Sequence, residues 1–134
     1  MKLSVGLITF NAENRIGKTI DAIKDIADEI IIVDSESKDR TVEISEFKGA
    51  KVFVEKWKGY GPQKNSVLEK CQGEWVLLLD ADEVVSPELR EKIVYFTRVG
   101  ADSTGMRIDF YYRISFALSS FIMCFIGLSL GSRY

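Results

Sequence analysis

The sequence contains no histidine. That one absence removes Ser-His and Cys-His nucleophile pairs, histidine-ligated zinc and any imidazole general base. Cysteine is nearly as scarce. Cys71 and Cys124 are the only two, far apart and outside any C-x-x-C spacing, which argues against a disulfide framework or a thiolate metal site. Positive charge is not in excess either. Eighteen basic residues against twenty acidic ones leave a net charge of −2, without the basic footprint of a nucleic-acid binder, so nucleic acid is not an expected partner. No Gly-x-Gly-x-x-Gly follows the first apolar run, and no Gly-x-x-x-x-Gly-Lys-Ser/Thr occurs. Dinucleotide-binding Rossmann enzymes and P-loop NTPases are thereby disfavoured. The N-terminus lacks the long apolar core of a signal peptide, so a cytoplasmic body is expected. The chemistry left to this chain runs on carboxylates, lysines, hydroxyls and backbone amides.

What is present fits one folded domain. The 134 residues suffice for a single core, and 46% hydrophobic content argues against a disordered chain. Leu3–Thr9 is a short apolar run that reads as a buried strand. Ile16, Ile20, Ile23 and Ala27 recur at helical spacing. The β-branched run Glu29–Val33 reads as a strand buried on both faces. Thr41–Phe47 predicts a short helix, Lys51–Val54 a third strand, and Gln63–Cys71 a helix with Val67, Leu68 and Cys71 inward. Glu74–Leu79 is the fourth strand. Ser86-Pro87-Glu88 supplies an N-cap, a first-turn proline and an early carboxylate for a helix through about Thr97. Alternation from Met106 to Arg113 adds a half-exposed strand. This order predicts an α/β fold, a mainly parallel sheet with flanking helices. In such sheets the loops after the strands share one edge, where ligands bind.

Those loops are Thr9–Glu13, Asp34–Thr41, Glu55–Lys64 and Asp80–Glu83, and all four are polar. Asp80, Asp82 and Glu83 follow an apolar strand and would repel one another unless a cation neutralised them. Hard oxygen ligands at that spacing suit Mg2+ or Mn2+, with substrate phosphates completing the shell. A solvated acidic turn before a helix is the plain alternative. Asp34 at its strand end can accept a hydrogen bond from a base or a ribose; otherwise Asp34 only ends the strand, with Asp39 and Thr41 capping the next helix. Asn11 or Asn14 likewise has a capping alternative. In the glycine- and lysine-rich run from Lys56 to Asn65, Lys64 sits on a first helical turn and is the better phosphate candidate; Lys56 and Lys58 read as solvated.

Taken together, Thr9-Phe10-Asn11, Asp34-Ser35-x-Ser37-x-Asp39-x-Thr41, Gly61-x-Gln63-Lys64-Asn65 and Asp80-Ala81-Asp82-Glu83 resemble the family 2 glycosyltransferases of GT-A fold, closest to the lipopolysaccharide-core β-glucosyltransferase-like branch. The resemblance covers about residues 2–95. It implies a nucleotide-sugar donor, a divalent ion, a glycan or glycolipid acceptor of the cell envelope, and transfer with inversion. Carried over, Thr9 and Asn11 line the nucleotide pocket, Asp34 meets the base with Ser35 beside it, and Lys64 lies near the nucleotide. Asp80 and Asp82 form the D-x-D element, Asp82 as the direct metal contact and Asp80 nearer the ribose. Family members usually continue for another hundred residues or more, so the alternative is a catalytically incomplete donor-binding fragment. The catalytic base is unassigned: only Asp102 and Asp109 follow Glu91, and Asp109 is the candidate because it alternates outward on its strand. A nucleotidyltransferase would share the carboxylate–metal logic but needs a phosphate loop that residues 9–17 do not provide.

Charge is uneven along the chain. Residues 1–113 form a charged body, the unit that the resemblance implies binds a nucleotide-sugar, whereas 114–134 carry only Arg133. Within this tail Ile114–Leu130 has no charge. As a helix it would span roughly 25 Å, slightly under a bilayer's hydrocarbon thickness. An apolar C-terminal helix is expected, inserting marginally in a membrane, lying at its inner face, or covering the sheet.

Overall fold

The computed structural model describes residues 3–98 and the backbone course of residues 111–116 and 119–127. The order is β1 (Leu3–Thr9), α1 (Ile16–Ile23), β2 (Glu29–Asp34), α2 (Thr41–Phe47), β3 (Lys51–Val54), α3 (Tyr60–Lys70), β4 (Trp75–Asp80), α4 (Pro87–Arg98), β5 (Tyr111–Phe116) and β6 (Ser119–Gly127). The strands form one sheet in the order β3-β2-β1-β4-β6-β5. The first four are parallel; β6 joins β4 antiparallel, and β5 pairs with β6. The chain steps from β1 to β2 and β3 on one side, then returns to place β4 on the other. The switch point therefore lies between the ends of β1 and β4, where open α/β sheets leave a crevice.

The continuous apolar run of β2 is explained by its two packed faces. Ile30 and Ile32 join the larger core with Leu3, Val5 and Leu7 of β1, Leu77 of β4 and Ile16, Ile20 and Ile23 of α1. Ile31 and Val33 point the other way, onto Val67 of α3. A period of two on the strands and of three to four on α1 thus meet in the same core. The start of α4 matches its sequence signal, for Ser86 Oγ accepts a hydrogen bond from Leu89 N at 3.2 Å.

Two expectations need correction. Helix α3 begins at Tyr60 rather than Gln63; Pro62 falls in its first turn, where no backbone N–H is required. The apolar C-terminal helix is not what residues 119–127 form. They are extended as β6, next to β5. Phe, Ile and Ser dominate this stretch, and a hairpin added to the free edge of β4 gives both partners backbone hydrogen bonds. Length and lack of charge alone could not distinguish that outcome. Residues 128–134 and most of the strand expected from Met106 lie outside the described residues. No helix among the described residues is long and apolar enough to cross a membrane.

Gly6 lets α3 approach β1. A Cβ there would stand 2.3 Å from Val67 Cγ1 and 3.0 Å from Leu78 Cδ2. Gly6→Ala should destabilise the fold by about 1–3 kcal/mol through overpacking. Chemical denaturation checks this, and an unchanged midpoint would show that α3 is free to move away.

Candidate functional site

The four polar loops meet at the carboxyl ends of β1, β2, β3 and β4, and hydrogen bonds knit them together. At the base lies Asp34, the last residue of β2 and fully buried. Its Oδ1 accepts from Thr9 Oγ1 at 2.7 Å and Ser37 Oγ at 2.6 Å, and its Oδ2 accepts from Ser37 N at 2.8 Å. The first two loops are then stitched along their length. Asn11 N donates to Ser37 Oγ, Asn11 Oδ1 accepts from Lys38 N, and Ala12 N donates to Thr41 Oγ1. Asn11 has a φ of 45° and Glu36 one of 57°, left-handed conformations that this close stitching maintains.

Capping is not Asn11's role. Helix α1 begins after Arg15 without a side-chain cap, and the Asn11 amide is spent on the neighbouring loop. Ser35, also buried, accepts from Gln63 Nε2 at 3.2 Å, which joins the second loop to α3. Gln63 is itself completely buried, and its Oε1 accepts from Lys58 N. Sequence reasoning gave Gln63 no role, although it stands inside the quoted Gly61-x-Gln63-Lys64 run.

Above this buried tier stand groups within reach of solvent. Lys64 Nζ lies 3.4 Å from Asp80 Oδ1, and Arg15 Nη1 lies 3.8 Å from Asp82 Oδ2. The side chains of Asp80 and Asp82 are about half exposed, at 47% and 56%. Thr19 Oγ1 donates to Ala81 O at 2.9 Å, which fastens the D-x-D turn to α1. Glu83 differs from its neighbours. It is buried, and its carboxylate accepts from Asp80 N at 3.1 Å. Burial, with the charges of Asp80 and Asp82 adding to it, pushes its pKa up to about 7. Phe10, at the end of β1, presents a ring that is 61% exposed beside Asn11. Arg15 and Phe10 were also missed. The signal available for Phe10 was a large aromatic placed just where a buried strand turns polar.

The structure thus brings together every nominated residue except Asp109, which lies outside the described residues. Thr9, Asp34 and Ser35 form the buried tier; Asn11, Lys64, Asp80 and Asp82 are accessible. Among the described residues no three acidic or cysteine side chains converge as a ready-made metal cluster. Two accessible carboxylates in one turn fit a hard divalent ion of the kind that draws its remaining oxygens from phosphate and water. They do not suit a dedicated all-protein cage.

Comparison with known proteins bears on the same region. Residues 4–119 match the family described as Glycosyl transferase family 2. An uncharacterized glycosyltransferase of Rickettsia bellii is 49% identical over 94 residues, covering 70% of this chain and 32% of that protein. The lipopolysaccharide core biosynthesis glycosyltransferase LpsC of Rhizobium meliloti is 34% identical over 113 residues, covering 81% of this chain and 42% of LpsC. Among solved structures, glucosyl-3-phosphoglycerate synthase from Mycobacterium tuberculosis, in complex with Mn2+, UDP and glucosyl-3-phosphoglycerate, superposes with a TM-score of 0.55 at 28% identity. That match covers 60% of this chain and 33% of the synthase. The chain spans about a third of the length of the first of these relatives.

The third loop is held by Glu55. Lys58 Nζ lies 2.7 Å and Lys70 Nζ 2.6 Å from its carboxylate, and Ser66 Oγ donates at 2.7 Å. Lys58, then Lys70, then Ser66 hold its pKa down to about 2, against an ordinary 4.5. A depressed carboxylate pKa adds stability that is fully present above the unfolded value and is lost as pH falls through the folded one. Glu55→Gln should therefore cost roughly 1 kcal/mol at pH 7, after allowing for solvent screening. The difference from the parent chain should shrink as pH drops from about 4.5 toward 2. Thermal unfolding at pH 7, 4 and 2.5 measures it, and a deficit that is constant with pH would exclude the charge network as its cause.

Proposed function

We propose that this chain, which belongs to glycosyl transferase family 2, carries the donor site of a GT-A enzyme that transfers a sugar from a nucleotide-sugar to an acceptor hydroxyl with inversion. One observation carries the reading: at the switch point between β1 and β4, accessible Asp80 and Asp82 stand beside Lys64 and Arg15, above a buried polar floor. A nucleoside diphosphate needs that combination of cations for its phosphates, oxygen ligands for a metal, and hydrogen-bonding groups for base and ribose. The mycobacterial synthase with UDP and Mn2+ supports a ligand of this class.

In this reading the residues have distinct tasks. Asn11 and the Phe10 ring meet the base at the rim. Asp34, Thr9 and Ser35 set the floor, and Asp34 retains one unused lone pair on Oδ2 for a base or ribose donor. Because Asp34 is fully buried, that contact requires the Ser37 segment to give way. Lys64 turns from Asp80 to the diphosphate, while Asp80 stays near the ribose. Mg2+ or Mn2+ held by Asp82 and Asp80 would neutralise the charge developing on the departing diphosphate. The acceptor is a cell-envelope glycan or glycolipid, a reading supported by the similarity to LpsC, and the reaction is placed in the cytoplasm at the inner face of the membrane.

Inversion by direct displacement needs a base within hydrogen-bond reach of the acceptor hydroxyl. Asp34 is buried and Asp80 and Asp82 serve donor and metal, so the base is unassigned; Asp102 and Asp109 are the acids late in the chain, and Asp109 is the candidate. The same distribution favours a second reading, in which this chain binds donor without completing transfer. General base catalysis contributes about 10²–10⁴-fold, so its lack would leave slow transfer or simple hydrolysis.

Two measurements test these readings. Calorimetry with UDP-, GDP- and dTDP-sugars should show binding that depends on Mn2+. Asp82→Asn should weaken it tenfold or more, a loss of about 1.4 kcal/mol, and unchanged affinity in a folded variant would refute the donor site. Nucleotide release assayed with candidate acceptors should be slow. Robust acceptor-dependent turnover that Asp109→Asn abolishes would instead identify the base and dismiss the second reading.

A further inference from the structure

Residues 47–64 combine two features. They hold five lysines and one glutamate, although the whole chain is net acidic. They also supply Phe47, Phe53, Val54, Trp57 and Tyr60, five of the eight large hydrophobic side chains exposed among the described residues. Phe53 and Val54 lie on β3, which among the described residues is an outer strand of the sheet and pairs only with β2. Tyr60 is 72% exposed, Val54 56% and Trp57 50%.

Contacts gather this stretch into two neighbouring clusters. The Trp57 and Tyr60 rings meet edge to face with centroids 4.9 Å apart. Lys70 Nζ stands 5.2 Å from the centre of the Phe53 ring and also pairs with Glu55, which Lys58 shares. Gly59, with a φ of 97°, makes the turn between the two aromatic residues. Lys51, Lys56 and Lys58 are all exposed; Lys51, at the start of β3, has only a long pair with Glu29 at 3.9 Å, and Lys56 and Lys58 follow the strand's end.

We propose that this rim docks on an anionic lipid surface, with Trp57 and Tyr60 entering the headgroup layer and Lys51, Lys56 and Lys58 facing lipid phosphates. Amphipathic rings settle at the boundary between headgroups and hydrocarbon, and lysines beside them gain from the negative surface potential. A protein partner fits less well, because lysine is depleted from the cores of protein interfaces. A neutral glycan would use the rings but leave the lysines without a counterpart. The surface is continuous with the crevice, since the same loop runs on to Lys64 and its pair with Asp80. Docking would turn the crevice toward the bilayer. The inference does not rest on the donor-site reading, because vesicle binding is measured without nucleotide or metal.

The test is co-sedimentation of the full chain with vesicles of phosphatidylglycerol and phosphatidylethanolamine, against vesicles of phosphatidylcholine alone. Tryptophan emission is recorded in parallel. The expected result is binding to the anionic vesicles only, at least tenfold weaker in 0.5 M salt, with a blue shift that Trp57→Phe removes. The double substitution Trp57→Ser with Tyr60→Ser should reduce binding at least tenfold, as should Lys51→Glu with Lys56→Glu. Brominated lipid should quench the parent chain's emission but not that of Trp57→Phe, a readout that does not require the serine variant to fold. Absence of binding, equal binding to phosphatidylcholine, or full binding by the folded serine variant would each overturn the proposal. The last result would assign attachment to another segment, with residues 114–130 as the first to examine.

Discussion

The crevice depends on one buried carboxylate. Asp34 has no ion pair among the described residues, and a charge removed from water without compensation would be costly. Two hydroxyls and one backbone N–H, from Thr9 and Ser37, provide the compensation. Those partners lie on different loops, so satisfying Asp34 forces the first loop and the second into contact. Its backbone extends the constraint: Asp34 is in register with Thr9 on β1 and Val54 on β3, and its carbonyl accepts from Glu55 N. Three strand ends are therefore fixed by the requirements of one residue.

This arrangement divides the site into parts with different freedom. The buried tier consists of two side-chain pairs, Thr9 with Asp34 and Gln63 with Ser35, completed by Ser37 and by Lys58 N, and the described buried side-chain polar atoms all have partners. Removing one member would strand another, at a cost of about 1–3 kcal/mol. The upper tier is held by ion pairs between half-exposed side chains, which contribute little to stability. Precision thus resides in the floor and adaptability in the rim. That is the useful order for a ligand whose shape is constant at one end and whose charge must be matched at the other.

How much of this was legible in the sequence follows from which forces act locally. Strand and helix order could be read because β2 is β-branched from Ile30 to Val33 and α1 repeats its isoleucines at helical spacing, so local preference and burial agree. The ligand edge then followed from topology alone. What could not be read was the partnering of side chains across the loops. Asn11 as a local cap and Asn11 as a bridge to Lys38 are identical in sequence, and only the 27-residue separation closed by the fold distinguishes them. The burial of Asp34 was equally hidden, since an aspartate at a strand end is ordinarily solvated. The tail was misread for a related reason: a helix satisfies its own backbone, whereas β6 depends on the free edge of β4, a partner more than forty residues away.

The two rim ion pairs also bear on how a charged ligand could enter. Without ligand, Lys64 neutralises Asp80 and Arg15 neutralises Asp82, so the two positive and two negative charges of these pairs cancel. Each pair is long, at 3.4 and 3.8 Å, and open to water, so breaking both costs on the order of 1 kcal/mol or less. A divalent ion brings two positive charges that the carboxylates can take, and a diphosphate brings negative charges that the released lysine and arginine can take. Neither alone leaves the rim balanced: the ion strands the basic side chains, and the diphosphate strands the acidic ones. Bound together, they exchange two weak pairs for contacts between opposite charges in a more enclosed site, where such contacts are stronger. On the proposed donor-site reading, coupled binding of metal and nucleotide would follow from the rim's own neutrality, while the contact with Asp34 is a separate step in which the Ser37 segment gives way.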